Sequence, residues 1–215
     1  MTFISKVIDK KIINNEILIL RLERKDLEFK AGQYIILKFP NEKEAREYSI
    51  YSGENDNHLD ILLKTVPAGS FSKRLGELHK GAKLEIDGPY GFFVMKPEEV
   101  ISKKHVFIAT GTGISPFSSY IHTFPKLNFY LLHGIGLLNE KIEPENYSDE
   151  KIIYCVSREV SNHFKGRVTD YLKHTAIDKE VIYHLCGNSA MISDVSDMLE
   201  KNGISPRNIR TEAFY

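Results

Sequence analysis

The segment from Lys104 to His122, KHVFIATGTGISPFSSYIH, holds the residue types and spacing best suited to binding chemistry. His105–Ala109 is a short apolar run of β-branched and aromatic residues, the pattern of a buried strand. It breaks into Thr110-Gly111-Thr112-Gly113. Ser115-Pro116 then opens an amphipathic stretch with Phe117, Tyr120 and Ile121 on one face. Proline fits the first turn of a helix, where its missing N–H would be unpaired anyway. A strand, a glycine turn and a helix start in that order offer backbone N–H groups and a positive dipole end to an anion, most often a phosphate. Pro116 stands where the full dinucleotide fingerprint has its third glycine. Taken alone, the turn reads equally as a tight strand-to-helix connection.

Arg46-Glu47-Tyr48-Ser49-Ile50 also mixes a cation, an aromatic ring and a hydroxyl within one strand-like run. Strand alternation puts Arg46, Tyr48 and Ile50 on one face and Ser49 on the other. Cys155 and Cys186 both end apolar runs, which reads as reduced thiols in a cytoplasmic protein. A thiolate-held iron–sulfur cluster needs about four cysteines, so these residues do not supply one. His133, His163, His174 and His184 show no metal-ligand spacing, and no metal site is expected.

The first hundred residues, which must position the Arg46 run, read as strands punctuated by turns: Ser5–Ile13, Glu16–Leu22, Gln33–Phe39, Arg46–Tyr51, Leu59–Val66 and Lys83–Ile86. Six short strands at this spacing predict a small antiparallel β-barrel, interrupted by one helix near Ser72–Leu78. From Lys104 the rhythm changes to strand–helix alternation. Strands are expected at His105–Ala109, Leu127–His133, Ile152–Val156 and Val181–Cys186, with helices at Ser115–His122, Arg167–His174 and Ser189–Lys201. That order predicts a doubly wound parallel sheet with helices on both faces. The boundary is placed in the polar link Lys96–Ser102, giving domains 1–98 and 99–215.

The 215 residues, 42% hydrophobic, suffice for one large core or two small ones. Lys+Arg and Asp+Glu balance at 29 each, which gives no nucleic-acid footprint and no polybasic membrane anchor. MTFISKVIDKKII lacks a long apolar core and a small-residue cleavage site, so no signal peptide is expected. No apolar run approaches the roughly 20 residues that span a bilayer.

Arg46-x-Tyr48-Ser49 on a strand resembles the flavin-binding signature of the ferredoxin–NADP reductase family. Gly69-Ser70-Phe71-Ser72 resembles that family's second flavin element, a glycine-led turn ending in Ser or Thr. Gly111-Thr112-Gly113-Ile114-Ser115-Pro116-Phe117 is similar to its nicotinamide-nucleotide loop, and Cys186-Gly187-Asn188-Ser189-Ala190-Met191 to its Cys-Gly-x-x-x-Met element. The four motifs fall in the family's order at compatible spacing, across nearly the whole chain.

The resemblance implies FAD in the first domain and NADP(H) in the second. Arg46 and the Ser70–Ser72 helix start would hold the flavin pyrophosphate. Tyr48 would cover one face of the isoalloxazine, with Ser49 near flavin N5. Ile50 continues the motif, and Lys64-Thr65-Val66 would line the flavin through backbone groups. Phe92 and Phe93 read as core. Thr110, Gly111, Thr112 and Gly113 would meet the nucleotide pyrophosphate. Cys186, with Gly187 and Met191 of its motif, would lie near the nicotinamide. Ser157 and Arg158 would grip the 2′-phosphate of NADP, with Arg167 as a second cation. Tyr215, at the chain end, would stack on the flavin, and Glu212 is a candidate for proton delivery.

The expected function is an FAD-dependent NADPH oxidoreductase that exchanges electrons with a carrier such as ferredoxin or flavodoxin. Other readings stay open: a free-flavin reductase, the reductase of an oxygenase, or an electron-transfer subunit of a larger complex. FMN or loosely held FAD also remains open, as does oligomeric state.

Overall fold

The computed structural model describes residues 1–66, 70–142 and 151–214, which form two compact units. The first unit comprises Met1–Val94 together with Ser115–Thr123. Its strands are β1 (Thr2–Ile12), β2 (Ile17–Glu23), β3 (Tyr34–Lys38), β4 (Ala45–Ser49), β5 (His58–Lys64) and β6 (Lys83–Tyr90), with helix α1 (Ser70–Glu77) before β6. They form an antiparallel sheet in the order β4-β3-β6-β1-β2-β5. An antiparallel bridge between Ile50 and Ile61 joins its two edges into a barrel. The Tyr51 amide donates to the Asp60 carbonyl at 2.8 Å beside that bridge. Alternation fills the barrel: Leu20, Leu22, Ile35, Leu37, Ile50, Leu59, Ile61, Leu84 and Ile86 are all fully buried. Asn14 turns β1 into β2 by accepting from the Glu16 and Ile17 amides, each at 2.8 Å.

The second unit comprises Met95–Ile114 and Phe124–Tyr215. It contains helix α2 (Pro97–Ser102), strand β7 (Lys104–Thr110), β8 (Phe129–Ile135), β9 (Ile152–Val156), β10 (Phe164–Lys165), helix α4 (Val168–Lys173), β11 (Val181–Asn188), helix α5 (Ser189–Lys201) and β12 (Ile209–Phe214). Helix α3 (Ser115–Thr123) falls in the first unit. The sheet is parallel throughout, in the order β10-β9-β8-β7-β11-β12. Chain order therefore reverses between β7 and β11, the switch point at which open α/β sheets bind ligands beyond their carboxyl ends. Ile108, Leu132, Cys155, Tyr183 and Leu185 face Val168 and Leu172 of α4 and Val195 and Leu199 of α5, forming one core.

The barrel and the parallel sheet agree with the sequence expectation, and several details differ. The polar link Lys96–Ser102 is mostly helical. Pro97 occupies the first turn, and Glu98 and Glu99 complement the positive end of the dipole. The chain end is not a frayed tail: Ile209–Phe214 pairs in parallel with β11. Both β12 and the two-residue β10 are too short or too polar to show as apolar runs.

Helix α3, expected to follow the sheet, is anchored to the barrel. Its Ser119 hydroxyl donates to the Ser52 carbonyl at 2.7 Å, and its Tyr120 hydroxyl donates to the Phe93 carbonyl. Phe93 is buried as expected, packing against Phe117 and Tyr120. Phe92 is 98% exposed and is not core.

Candidate functional site

In the barrel unit, burial rises steadily along β4. Arg46 is exposed, Tyr48 half-buried, and Ser49 and Ile50 buried. The Arg46 guanidinium donates to Glu44 at 2.7 Å and to the Ala45 carbonyl at 2.8 Å. It also lies 5.8 Å from the centre of the Phe71 ring, which sets the cation beside the first turn of α1. An exposed cation at a helix start suits a phosphate. Burial pushes the Tyr48 hydroxyl up to about 12, partly offset by the Arg46 charge, so the ring is neutral.

Other residues of the flavin signature are placed less directly. Ile50 and Phe71 were expected to bind cofactor, but their side chains belong to the barrel core, Phe71 edge-on to Phe39. What they can offer a ligand is backbone. The Ser72 hydroxyl accepts from the Val66 amide at 3.1 Å and so ties α1 to the strand end, while Ser70 is exposed. Lys64 pairs with Glu16 at 3.3 Å. Gly69 lies outside the described residues, as does Tyr215.

In the second unit, the two strand exits at the switch point lock together. A Cβ on Gly113 would stand 2.4 Å from the Cys186 carbonyl oxygen, and one on Gly187 would stand 2.4 Å from the Thr110 hydroxyl. The Thr110 hydroxyl accepts from the Asn188 amide at 3.0 Å. Gly113, Gly187 and Thr110 thus close β7 against β11. Gly111 differs. Its φ of 53° is left-handed and a Cβ there would meet nothing within 4 Å among the described residues, which leaves room for a ligand to approach the backbone. Thr112 is half-buried beside it.

Asn188 caps α5 by accepting from the Ala190 and Met191 amides. The Met191 side chain, expected at the cofactor, packs into the sheet core. Cys186 is fully buried, and burial together with the Glu212 charge on the neighbouring strand pushes its thiol well up. It is therefore a neutral thiol.

At the far side of the sheet, the Ser157 and Arg158 amides continue the β8–β9 ladder by donating to the Ile135 and Gly136 carbonyls at 3.1 and 3.0 Å. The β9–β10 register pairs Lys165 with Val156. Arg158 and Arg167 each stand two residues past these paired strand ends, and both are exposed. Among the described residues no carboxylate pairs with either guanidinium. Glu140 accepts from the Gly136 amide at 2.7 Å, Glu159 accepts from the Leu138 amide, and the Arg167 amide, helped by the Arg167 charge, holds Asp170 below its ordinary value. Two exposed guanidiniums past the paired ends of neighbouring strands suit a phosphate.

Sequence reading missed one member of this region. His133 on β8 is fully buried, and its Nε2 lies 2.9 Å from the Gly111 carbonyl oxygen. Burial pushes it down to about 4, so it is neutral. Its histidine type inside an otherwise apolar strand was the available signal.

The geometry fits two nucleotide cofactors, a flavin in the first unit and a nicotinamide nucleotide in the second, and the similarities to known proteins agree. Residues 5–95 match the oxidoreductase FAD-binding domain, and residues 107–197 match the oxidoreductase NAD-binding domain. The chain is 30% identical to a ferredoxin–NADP reductase of Pseudomonas aeruginosa, over 84% of this chain and 83% of that protein. It is 28% identical to the toluate 1,2-dioxygenase electron transfer component of Pseudomonas putida, over 87% of this chain but only 59% of that longer protein. A ferredoxin NADP+ reductase from Neisseria gonorrhoeae, solved with bound FAD and NADP, has the same fold, with a TM-score of 0.88, 23% identity and coverage of 100% of this chain and 99% of that one. The chain belongs to the ferredoxin–NADP reductase family of FAD- and NAD-binding flavoprotein oxidoreductases.

Proposed function

We propose that this protein oxidises NADPH and passes the electrons to a separate one-electron carrier of the ferredoxin or flavodoxin type. FAD, when bound, supplies the conversion between a two-electron hydride and single electrons. Arg46 and the first turn of α1 would hold its pyrophosphate, and Tyr48 would cover its ring. Ser49 would orient the reacting end of the flavin through its hydroxyl. Cys186 would bring a neutral thiol to the nicotinamide, and Tyr215 would shield the flavin from water until the nicotinamide arrives. Gly111 and Thr112 would meet the nucleotide pyrophosphate.

The observation that carries the choice of NADPH is the two exposed guanidiniums of Arg158 and Arg167, past the paired ends of β9 and β10, with Ser157 next to Arg158. NADH has no 2′-phosphate, whereas that of NADPH would accept charge-assisted hydrogen bonds from guanidiniums. A carrier on another protein is supported by the names of the relatives, one a ferredoxin–NADP reductase and the other an electron transfer component. Two cysteines are too few to ligate an iron–sulfur centre within these residues. The two cysteines, both buried and free, favour a reducing compartment such as the cytoplasm. Among the described residues no helix is long and apolar enough to cross a membrane.

The test is the absorption spectrum of the purified protein before and after anaerobic NADPH and NADH, followed by addition of oxidised ferredoxin or flavodoxin. Rapid bleaching of bound flavin by NADPH, slower bleaching by NADH and reoxidation by the carrier are expected. A colourless protein that turns over added free flavin would instead identify a flavin reductase.

A further inference from the structure

We propose that His133 is a positioning residue for the nucleotide: its Nε2–H holds the Gly111 carbonyl and so aims the Thr112 N–H of the same peptide at the coenzyme pyrophosphate. The inference rests on the reading of the Gly111 turn as the nucleotide loop. His133 stands on β8 in register with Ala109 of β7 and Tyr154 of β9, two residues short of Gly111 along the sheet edge. Its ring is fully buried and its Nε2 is 2.9 Å from the Gly111 carbonyl oxygen. A carbonyl only accepts, so the proton must sit on Nε2 and Nδ1 must be the bare nitrogen. That Nδ1 is buried and has no hydrogen-bond partner among the described residues. The groups facing the ring are the Tyr154 ring, 5.8 Å away, and the Glu140 charge, which acts on it weakly.

A buried histidine with one unsatisfied nitrogen is a poor choice for packing alone. Its neighbours on the strand are Leu131, Leu132 and Ile135, and a leucine in its place would bury no polar atom. The compensating feature is the one hydrogen bond it makes, to the residue with the left-handed φ of 53°. A glycine in that conformation tolerates more than one peptide orientation, and a flipped Gly111–Thr112 peptide would present a carbonyl to an incoming phosphate. In a trans peptide the C=O and the following N–H point opposite ways. Fixing the Gly111 carbonyl towards His133 therefore fixes the Thr112 N–H to point away from β8.

The test uses the FAD-loaded protein and calorimetric binding of NADP+, NAD+ and 2′-AMP to wild type, His133→Leu and His133→Gln, with the melting temperature of each. The leucine variant is expected to bind NADP+ and NAD+ about tenfold more weakly, the size of one lost hydrogen bond. Its affinity for 2′-AMP, which carries no pyrophosphate, is expected to stay unchanged. The glutamine variant, which keeps an amide donor, should recover most of the loss. Equal weakening of all three ligands, or none, in a folded leucine variant would overturn the inference. In wild type, 15N-labelled histidine should show the neutral Nε2–H tautomer at residue 133, and the Nδ1–H tautomer would overturn it without any variant. Wild type that binds neither NADP+ nor NAD+ would instead remove the reading of the loop as a nucleotide site.

Discussion

Gly113 lies so close to Cys186 that a single added methyl group would meet the Cys186 carbonyl oxygen at 2.4 Å. The contact is backbone against backbone, so neither partner can turn aside as a flexible side chain would. Gly113→Ala must push β7 and β11 apart at the switch point. We expect a stability loss of about 2 kcal/mol or more, in the range of overpacked cores, together with loss of NADP+ binding. Gly111→Ala meets no neighbour among the described residues and is strained by its φ, a cost of roughly 1 kcal/mol. Thermal unfolding of the two variants, side by side, checks the contrast.

Coenzyme choice should reside in Arg158 and Arg167. Arg158→Ala is expected to raise KM for NADPH by about tenfold or more, the worth of a charge-assisted contact, with little change for NADH. Arg167→Ala should act in the same direction but less strongly. Steady-state kinetics with both coenzymes decide the matter, and equal effects on the two would place the arginines outside the coenzyme site.

Arg46 pairs with Glu44 on the surface, and such exposed pairs contribute little to stability. Arg46→Ala is therefore expected to keep its melting temperature in the apoprotein and to lose FAD on gel filtration. Glu44→Gln, which releases the guanidinium from its carboxylate, should retain or tighten FAD. Flavin content per chain, read from the absorption spectrum, measures both.

Acid should destabilise the second unit. Burial holds His133 at about 4 and His184 well below its ordinary value, with His105 lowered as well. Each binds its proton more readily in the unfolded chain, so stability is complete above pH 6.5 and falls as the pH drops towards 4. His133 alone accounts for a loss on the order of 3 kcal/mol by pH 4. Melting curves from pH 7.5 to 4.5 should show the decline, and His133→Leu should flatten it.

Cys186 and Glu212 are register partners on β11 and β12, and burial and the carboxylate both disfavour a thiolate. Native protein should therefore react slowly with iodoacetamide at pH 8. Cys186→Ala and Ser49→Ala should slow anaerobic flavin reduction by NADPH while leaving FAD bound. Stopped-flow absorbance separates that outcome from a loss of NADPH affinity, which would make both residues binding groups only.

The sequence by itself determined the kind of each layer. Alternating apolar residues from β1 to β6 can bury only one face and so specify a barrel, whereas near-continuous apolar runs such as His105–Ala109 and Val181–Cys186 need cover on both faces. It also contained the Arg46, Gly111, Arg158 and Cys186 motifs, because each is a local run with its own turn or strand chemistry. Tertiary structure decided the rest. The β9–β10 register pairs the strand ends that Arg158 and Arg167 follow, the strand order β8-β7-β11 brings Gly113 to Cys186 and His133 to Gly111, and parallel pairing makes residues 209–214 into β12. Local periodicity specifies which way a residue faces, but contacts such as Gly111 with His133 and Gly113 with Cys186 depend on strand order and register. Those are fixed only when the whole sheet packs. For the same reason Ile50, Phe71 and Met191, legible as motif members, could be assigned to the core only from the folded protein.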